Sequence, residues 1–304
     1  MTPTTPTGLL ILDKPRGISS HAVVQSVRHL FQTKKVGHAG TLDPEATGVM
    51  VLALGSATRL LEYYTDENKS YLADAELGKI STTGDAEGDL TVFYEGDSWP
   101  TPEKVEQTLE QFRGPISQVP PIYSALKIDG ERLYKKARRG EAVDIPARDV
   151  FISQLEVAEY APPRLQFHTT CSKGTYIRAL AEDIGIALGT GAYLTALRRT
   201  ASGQFSLESA HTLEQIEGRI LEQRLELLLP LGYGLPPENA LELDPEQLFE
   251  VLHGRDIELA TETDTTKNIF AWSNQQLTAI LEHRCENTWK PRKVFTAPPD
   301  SPGK

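Results

Sequence analysis

The chain has 304 residues, which is enough for one large core, or for one core and a small additional module. Its 39% apolar and 24% charged residues are ordinary for a globular protein, and no apolar run approaches the roughly 20 residues of a membrane helix. The two cysteines, the scattered histidines and the absence of a signal-peptide pattern in Met1–Thr7 predict a cytoplasmic protein without disulfides or metal.

The net charge of −11 argues at first against a polyanionic partner, but the charge is unevenly distributed. Residues 207–268 hold fourteen acids and four bases, whereas the rest of the chain, with 28 acids and 27 bases, is close to neutral. Tyr123–Arg148 has seven bases against four acids, interleaved with tyrosines, as in surfaces that meet phosphates and unstacked bases. A solvated helix face explains this segment equally well. The net charge therefore does not exclude RNA.

The amino-terminal half alternates strands with short helices. Leu9–Leu12 is predicted as a strand, and Ser19 or Ser20 as the cap of a helix whose apolar residues recur at helical spacing. We expect the later elements to be a buried strand at Val49–Leu54, a short helix near Ala57–Tyr64 and a half-buried strand at Lys69–Leu77.

The next segments continue this mixture. A helix capped by Thr101 is predicted to run to Phe112, and strands are expected at Val150–Val157 and Leu165–Cys171. A second helix is expected at Tyr176–Leu188, ending before Gly189. The segment Leu213–Leu229 is expected to be largely helical after Thr212. Without a regular βαβ rhythm, these elements predict an α+β fold with an antiparallel or mixed central sheet.

A domain break is predicted at Gly232–Pro237, where glycine and proline interrupt the helical pattern. Residues 1–232 would form the main domain and 238–304 a small carboxyl-terminal module. The module contains only weak strand candidates, at Ile269–Trp272, Leu277–Leu281 and Lys293–Thr296. We expect the proline-rich tail 298–304 to be disordered.

The most informative segment is Gly37–Gly48, which has three glycines and two acids, Asp43 and Glu45. Its glycines permit close approach to a ligand, and the apolar run that follows anchors it in the core, so Asp43 is a candidate catalytic carboxylate on a loop. The segment lacks the Gly-Lys-Ser/Thr of a phosphate-binding loop, and it precedes its strand, unlike a dinucleotide fingerprint. An ordinary turn remains the alternative on these residues alone.

Five segments in order resemble the TruB family of pseudouridine synthases, over about Gly8 to Phe205. They are Leu12–Ser20, Gly37–Gly48, Lys69–Tyr71, Val119–Lys127 and Cys171–Arg178. The resemblance is strongest to the stand-alone bacterial members. It implies the pseudouridine synthase fold, with the active cleft across the central sheet, and an RNA-binding module of the PUA kind at the carboxyl terminus.

The resemblance also implies the residues of the site. Asp43 would be the catalytic carboxylate, Arg178 the cation that keeps it ionised, and Tyr71 the aromatic residue that stacks on the target uracil and assists proton transfer. His38, Tyr176 and Leu197 would contact the substrate. Lys14 and the region of Lys127 are assigned to the scaffold and to contact with the RNA backbone, and the basic run that includes Lys135, Arg138 and Arg139 is assigned to the RNA backbone from its charge. Without the resemblance, Arg178 would be taken for a surface residue, and Tyr71, Tyr176 and Leu197 for packing residues.

The implied activity is conversion of the uridine at position 55, in the T loop of tRNA, to pseudouridine. No atoms are gained or lost in this isomerisation, so no cofactor is expected, and a monomer that acts without a guide RNA or protein partner is implied. Two other interpretations are open: a tRNA-folding chaperone with secondary catalysis, and a guide-dependent synthase. The short carboxyl module and the absence of a long basic tail argue against the second.

Overall fold

The structure is a computed structural model. It describes residues 5–124, 126–128, 130–133, 136, 139, 141, 143–259 and 264–295, without the side chains of residues 127, 128 and 132. The predicted site residues Lys135 and Arg138 and the tail 298–304 lie outside the described residues. No described helix is long and apolar enough to cross a lipid bilayer.

The described strands are β1 Gly8–Lys14, β2 Val36–His38, β3 Thr47–Leu54, β4 Lys69–Leu77, β5 Lys79–Ser81, β6 Leu90–Val92, β7 Gly114–Gln118, β8 Lys127–Ile128, β9 Glu131–Arg132, β10 Arg148–Ala161, β11 Arg164–Cys171, β12 Ala192–Ser202, β13 Phe205–Ser206, β14 His211–Thr212, β15 Ala240–Glu242, β16 Ile257–Glu258, β17 Ile269–Ser273, β18 Gln276–Cys285 and β19 Thr288–Val294. The described α-helices are α1 Ser20–Leu30, α2 Leu61–Thr65, α3 Pro102–Glu110, α4 Ile177–Leu188, α5 Leu213–Glu217, α6 Leu221–Leu225 and α7 Pro245–Leu252.

A ten-stranded sheet forms the centre of the main domain. Its order is β14-β1-β3-β12-β4-β11-β10-β7, with β13 on β12 and β2 on β3. Neighbours are antiparallel except for β1 with β14 and β3 with β12, which are parallel. The α+β fold with a mixed central sheet is therefore confirmed. Within this sheet β12 lies between β3 and β4, so residues from distant parts of the chain meet along it.

Several elements follow directly from local sequence signals. Along β4 every second residue is buried, as its alternation predicted. The hydroxyl of Ser19 accepts from Ala22 N–H and caps α1, and Thr101 caps α3 in the same way. Helix α4 ends at Gly189, whose φ of 76° lies in the left-handed region that terminates helices. Local chemistry thus determines the bounds of these elements.

Two expectations about secondary structure were wrong. The segment Leu213–Leu229, expected to be largely helical, forms the two short helices α5 and α6, because the first ends at Gly218. Strand β12 was not predicted at all, since Arg198 and Arg199 interrupt its apolar pattern, although Arg199 is only 1% exposed. A buried arginine in a central strand is a feature that apolar periodicity cannot reveal.

The carboxyl-terminal residues form a separate five-stranded sheet in the order β15-β17-β18-β19-β16, covered by α7. The sheet has its own apolar cluster around Trp289. Its other side joins the core of the main domain, where Phe270 and Ile280 pack in one cluster with Leu9. The Arg59 guanidinium donates to the Val294 carbonyl at 2.6 Å across the same contact. The module is therefore packed firmly on the β1–β3 side of the sheet.

Candidate active site

The loop between β2 and β3 carries Asp43, and buried polar groups fix its backbone. The Lys14 ammonium donates to the Pro44 carbonyl at 2.9 Å, and the Gly17 N–H donates to the same oxygen at 2.9 Å. On the other side of Asp43, the Ser20 hydroxyl donates to the Leu42 carbonyl and accepts from its N–H, both at 2.8 Å. The carboxylate is thus presented by a backbone held on both sides.

Lys14 itself does not reach the protein surface. It is 0% exposed, and its ammonium also donates to the carbonyls of Pro15 and Ile18, at 2.9 and 2.7 Å. Burial lowers its pKa to about 8. The prediction that Lys14 contacts the RNA backbone is therefore corrected: its three hydrogen bonds hold the loop, and a phosphate has no access to it.

Gly48, where the loop enters β3, is expected to tolerate no side chain. Its φ is +106°, and a Cβ there would lie 2.1 Å from the Arg199 carbonyl oxygen. Gly48→Ala is therefore expected to lower the free energy of unfolding by about 3 kcal/mol or more, because backbone strain and a steric clash combine. The difference would be measured by urea denaturation.

Gly17→Ala is the matched control for this substitution. Gly17 also has a positive φ, +86°, but a Cβ there would meet no atom within 4 Å. Gly17→Ala is therefore expected to lower the free energy of unfolding by only about 1–2 kcal/mol, through backbone strain. Equal unfolding midpoints for the two variants would show that the close approach of Arg199 does not constrain Gly48.

Arg178, in the first turn of α4, ties the loop to two other segments. Its Nε lies 3.2 Å from Asp43 Oδ2, and its Nη1 lies 3.2 Å from Asp85 Oδ2. The guanidinium also donates to the carbonyls of Thr83 at 2.8 Å and Tyr123 at 2.9 Å. The Arg178 side chain is only 8% exposed, whereas that of Asp43 is 45% exposed. The arginine is thus held from behind while the carboxylate remains accessible.

The charge of Asp43 is set by opposing effects. Its pKa lies above the ordinary value because burial, the largest effect, raises it more than Arg178 lowers it; more weakly, Asp85 raises it and Lys14 lowers it. Without a cation the carboxyl group would tend to take up a proton. Arg178 therefore supports the ionised form, as the sequence-based interpretation required.

A cavity of about 290 Å³ opens beside this ion pair. The residues that line it include five of the predicted site residues: Asp43, Tyr71, Tyr176, Arg178 and Leu197. They come from the loop before β3, from β4, from the start of α4 and from β12. The fold thus brings together side chains separated by up to 154 positions in the chain.

Tyr71 and Tyr176 are fixed in different ways. Tyr71 is 9% exposed and stands on β4 between Thr169 of β11 and Arg199 of β12. Its pKa is raised by burial, and Arg199 opposes that shift. Tyr176 precedes α4, and the buried amide side chain of Gln118 binds its backbone twice, donating to its carbonyl at 3.0 Å and accepting from its N–H at 2.8 Å.

Among the described side chains, those of His38 and Arg139 do not line this cavity. His38 lies in β2 and is absent from the described residues that line the cavity; its Nδ1 is buried without a partner, and burial lowers its pKa. Arg139 is exposed and forms ion pairs with Glu131 at 2.8 Å and Glu141 at 2.5 Å. Lys127 belongs to the short strand β8. The roles of these three residues remain predictions.

Charged residues to which the sequence analysis gave no role also lie at the site, and Asp85, Lys69 and Arg199 are the most buried of those described. Asp85 binds Arg178, and both Lys69 and Arg199 line the cavity. Lys69 opens a motif that the resemblance had already identified, so that motif was the one signal available for it. Nothing in the local sequence distinguishes Asp85 from other loop acids or Arg199 from other arginines.

The overall fold is shared with solved structures of one class. The chain has a TM-score of 0.75 and 26% identity to a chain in a crystal structure of a Cbf5-Nop10-Gar1 complex, covering 96% of this chain and 86% of that one. A chain in an archaeal box H/ACA sRNP Nop10-Cbf5 complex has a TM-score of 0.73 at 23% identity, a likeness of fold alone, with coverage of 96% and 87%. The expected fold, that of the pseudouridine synthase class, is confirmed.

Sequence comparisons give the family. Residues 28–177 match the model for the TruB family pseudouridylate synthase N-terminal domain, and residues 178–235 match the tRNA pseudouridylate synthase B C-terminal domain. The chain is 40% identical over 294 residues to tRNA pseudouridine synthase B of Streptococcus pyogenes serotype M2 (strain MGAS10270), covering 95% of this chain and 99% of that protein. The same protein of serotype M3 (strain MGAS315) is 39% identical, with the same coverage. The chain belongs to the TruB family.

Proposed function

We propose that this protein is a pseudouridine synthase that isomerises a uridine of tRNA. The observation that carries the proposal is the half-exposed Asp43 carboxylate, paired at 3.2 Å with the buried Arg178 at the edge of a cavity lined by Tyr71. Family membership and the printed name of its relatives, tRNA pseudouridine synthase B, support the same activity. Asp43, Tyr71 and Arg178 are the proposed catalytic residues.

The chemistry requires a carboxylate at this place. Breaking the N-glycosidic bond of uridine develops positive charge on the sugar, and an adjacent carboxylate stabilises that charge, as in glycoside hydrolysis. Arg178 keeps Asp43 ionised before the reaction. After uracil rotates, one of its ring carbons bonds to the sugar and loses its hydrogen, while the nitrogen that left the sugar takes up a proton, so the overall composition is unchanged. The isomerisation as a whole therefore needs no redox partner and no energy source.

The cavity also has to hold the base and exclude water. A uridine within a folded loop must be flipped out to reach Asp43, at a cost of a few kcal/mol for unstacking. Contacts of the base with Tyr71, Tyr176 and Leu197 would offset part of this cost. A water molecule at the sugar would hydrolyse the glycosidic bond and leave an abasic site. The apolar residues that line the cavity would thus protect the reaction by keeping water away from the sugar.

We further infer that the target is the position-55 uridine of the T arm, and that the protein acts in the cytoplasm as a monomer without a guide RNA. The test is incubation of the purified protein with an unmodified T-arm hairpin, followed by pseudouridine-specific chemical detection. Conversion of the hairpin is the expected result. A hairpin with cytidine at the target position is the control for site specificity, and size-exclusion chromatography reports the oligomeric state.

Tight binding of the hairpin without conversion would contradict the proposed activity. It would favour the chaperone interpretation, or the guide-dependent one if added guide RNA restored conversion. Conversion of the hairpin alone, in the absence of other proteins and cofactors, would exclude the guide-dependent interpretation.

A further inference from the structure

Two buried cations line the cavity in addition to Arg178. Arg199 is 1% exposed and Lys69 is 6% exposed. The Lys69 ammonium donates to the carbonyls of Thr65 and Glu67, both at 2.5 Å. Among the described residues, neither cation forms an ion pair with a carboxylate. Because burying a charge without a counter-charge is costly, this arrangement calls for an explanation beyond stability.

Arg199 is held in one orientation by the loop that carries Asp43. Its Nε donates to the Val49 carbonyl at 2.6 Å, and its Nη2 donates to the Gly40 carbonyl at 3.3 Å. These two acceptors lie on either side of Asp43 in the chain. The guanidinium is therefore rigidly placed relative to the carboxylate, and any further partner of Arg199 is placed with it.

That further partner is Tyr71. The two residues are directly opposite each other on the neighbouring strands β4 and β12, so their side chains lie on the same face of the sheet, and both line the cavity. Arg199 also lowers the pKa of the Tyr71 hydroxyl, against the effect of burial. A guanidinium has only donors, so Tyr71 must offer its oxygen as the acceptor in this interaction. The hydroxyl hydrogen of Tyr71 is then free to point into the cavity.

We propose that Arg199 is a positioning residue that aims the Tyr71 hydroxyl at the departing uracil and, with Lys69, stabilises the negative charge that develops on it. This inference rests on the proposed function. When the bond between the sugar carbon and the base nitrogen breaks, its electron pair remains on uracil and spreads to the ring oxygens. Tyr71 donates a hydrogen bond to one such oxygen and keeps its proton. When the carbon–carbon bond forms, the ring supplies the electron pair for it; the bonding ring carbon then loses its hydrogen, and the nitrogen released from the sugar gains a proton.

The proposal assigns opposite charges to the two sides of the cavity. Asp43 faces the sugar, which becomes positive, whereas Arg199 and Lys69 lie on the side proposed for the base, which becomes negative. Donors that are already fixed before the reaction stabilise such charge without reorganisation, and removal of one typically costs about 10²–10³-fold in rate. A purely structural arginine would hold the loop but would have no relation to the leaving group.

The test compares two leaving groups in single-turnover cleavage of the N-glycosidic bond. T-arm hairpins carrying uridine or 5-fluorouridine at the target are used, because fluorine itself stabilises the uracil anion. Arg199→Gln is expected to slow the uridine reaction by about 10²-fold, but the 5-fluorouridine reaction by less than about 10-fold. Arg199→Lys, which retains the charge, is expected to restore part of the uridine rate.

Gln118→Ala is the matched control, since Gln118 holds the backbone of Tyr176 on another wall of the same cavity. Its loss in rate is expected to be the same for both substrates. If Arg199→Gln does not fold, Tyr71→Phe provides the same comparison with Arg199 intact. Equal losses on the two substrates for the Arg199 and Tyr71 variants would overturn the proposal. Failure of the parent protein to react with either hairpin would instead overturn the proposed function.

Discussion

Asp43→Asn is expected to reduce conversion of the T-arm hairpin at least about 10³-fold, the largest effect of any single substitution considered. The amide has nearly the same shape, but it carries no charge to stabilise the developing positive charge on the sugar. Hairpin binding should change little, because Asp43 contributes no cation to phosphate contact. Single-turnover conversion and a binding titration measure the two effects separately.

Asp74→Asn is a matched control for this variant. Asp74 lies on β4, as Tyr71 does, but it pairs with Arg164 at 2.7 Å and does not line the cavity. Near-parental conversion is expected for it. Conversion by Asp43→Asn at the parental rate would remove Asp43 from the catalytic role, and the proposed mechanism with it.

Arg178→Ala is expected to lower the free energy of unfolding by about 3 kcal/mol, at the low end of the range for breaking a buried ion pair. The low end applies because the Asp43 side chain is 45% exposed, so water replaces part of the lost interaction. The Asp85 side chain, which is 17% exposed, is left as the more deeply buried unpaired charge. The Thr83 and Tyr123 carbonyls also lose their donor. Urea denaturation measures this loss.

The same substitution should change the pH dependence of the reaction. Arg178 lowers the pKa of Asp43, so its removal raises that pKa, and a smaller fraction of the carboxyl group is ionised at a given pH. The acid limb of the rate profile is therefore expected to move to higher pH in Arg178→Ala, and to move back in Arg178→Lys. An acid limb that did not move, in a variant shown to be folded, would mean that Arg178 does not govern the ionisation of Asp43.

The sequence predicted most of the local elements and the main site. The alternation in Lys69–Leu77, the cap at Ser19 and the stop at Gly189 each have a local cause, and each is present in the structure. The resemblance then predicted a set of dispersed residues, and the fold gathers five of them around one cavity. The catalytic interpretation of these residues nevertheless rests on the family motifs, because Leu197 or Tyr176 alone would pass for packing residues.

Errors arose where a charged residue is buried. Lys14 was expected to contact the RNA backbone, but three carbonyl oxygens contributed by Pro15, Ile18 and Pro44 hold it in the interior. Strand β12 was not predicted because it contains the buried Arg199. The hydrogen-bond acceptors of Arg199 lie on the Asp43 loop and on β3, about 150 residues earlier in the chain. Such partners are invisible to a pattern read along a short window of sequence.

By itself, the sequence determined most of the segments that form strands and helices, though not β12, and that Asp43 sits on a glycine-rich loop before a buried strand. These outcomes depend on periodicity, caps and glycine conformations, which act over a few residues. Only the tertiary structure decided how the charges are arranged: Arg178 between Asp43 and Asp85, and Arg199 beside Tyr71. Whether a charge is buried, and against which partner, depends on contacts between distant strands, so it is settled only when the sheet assembles.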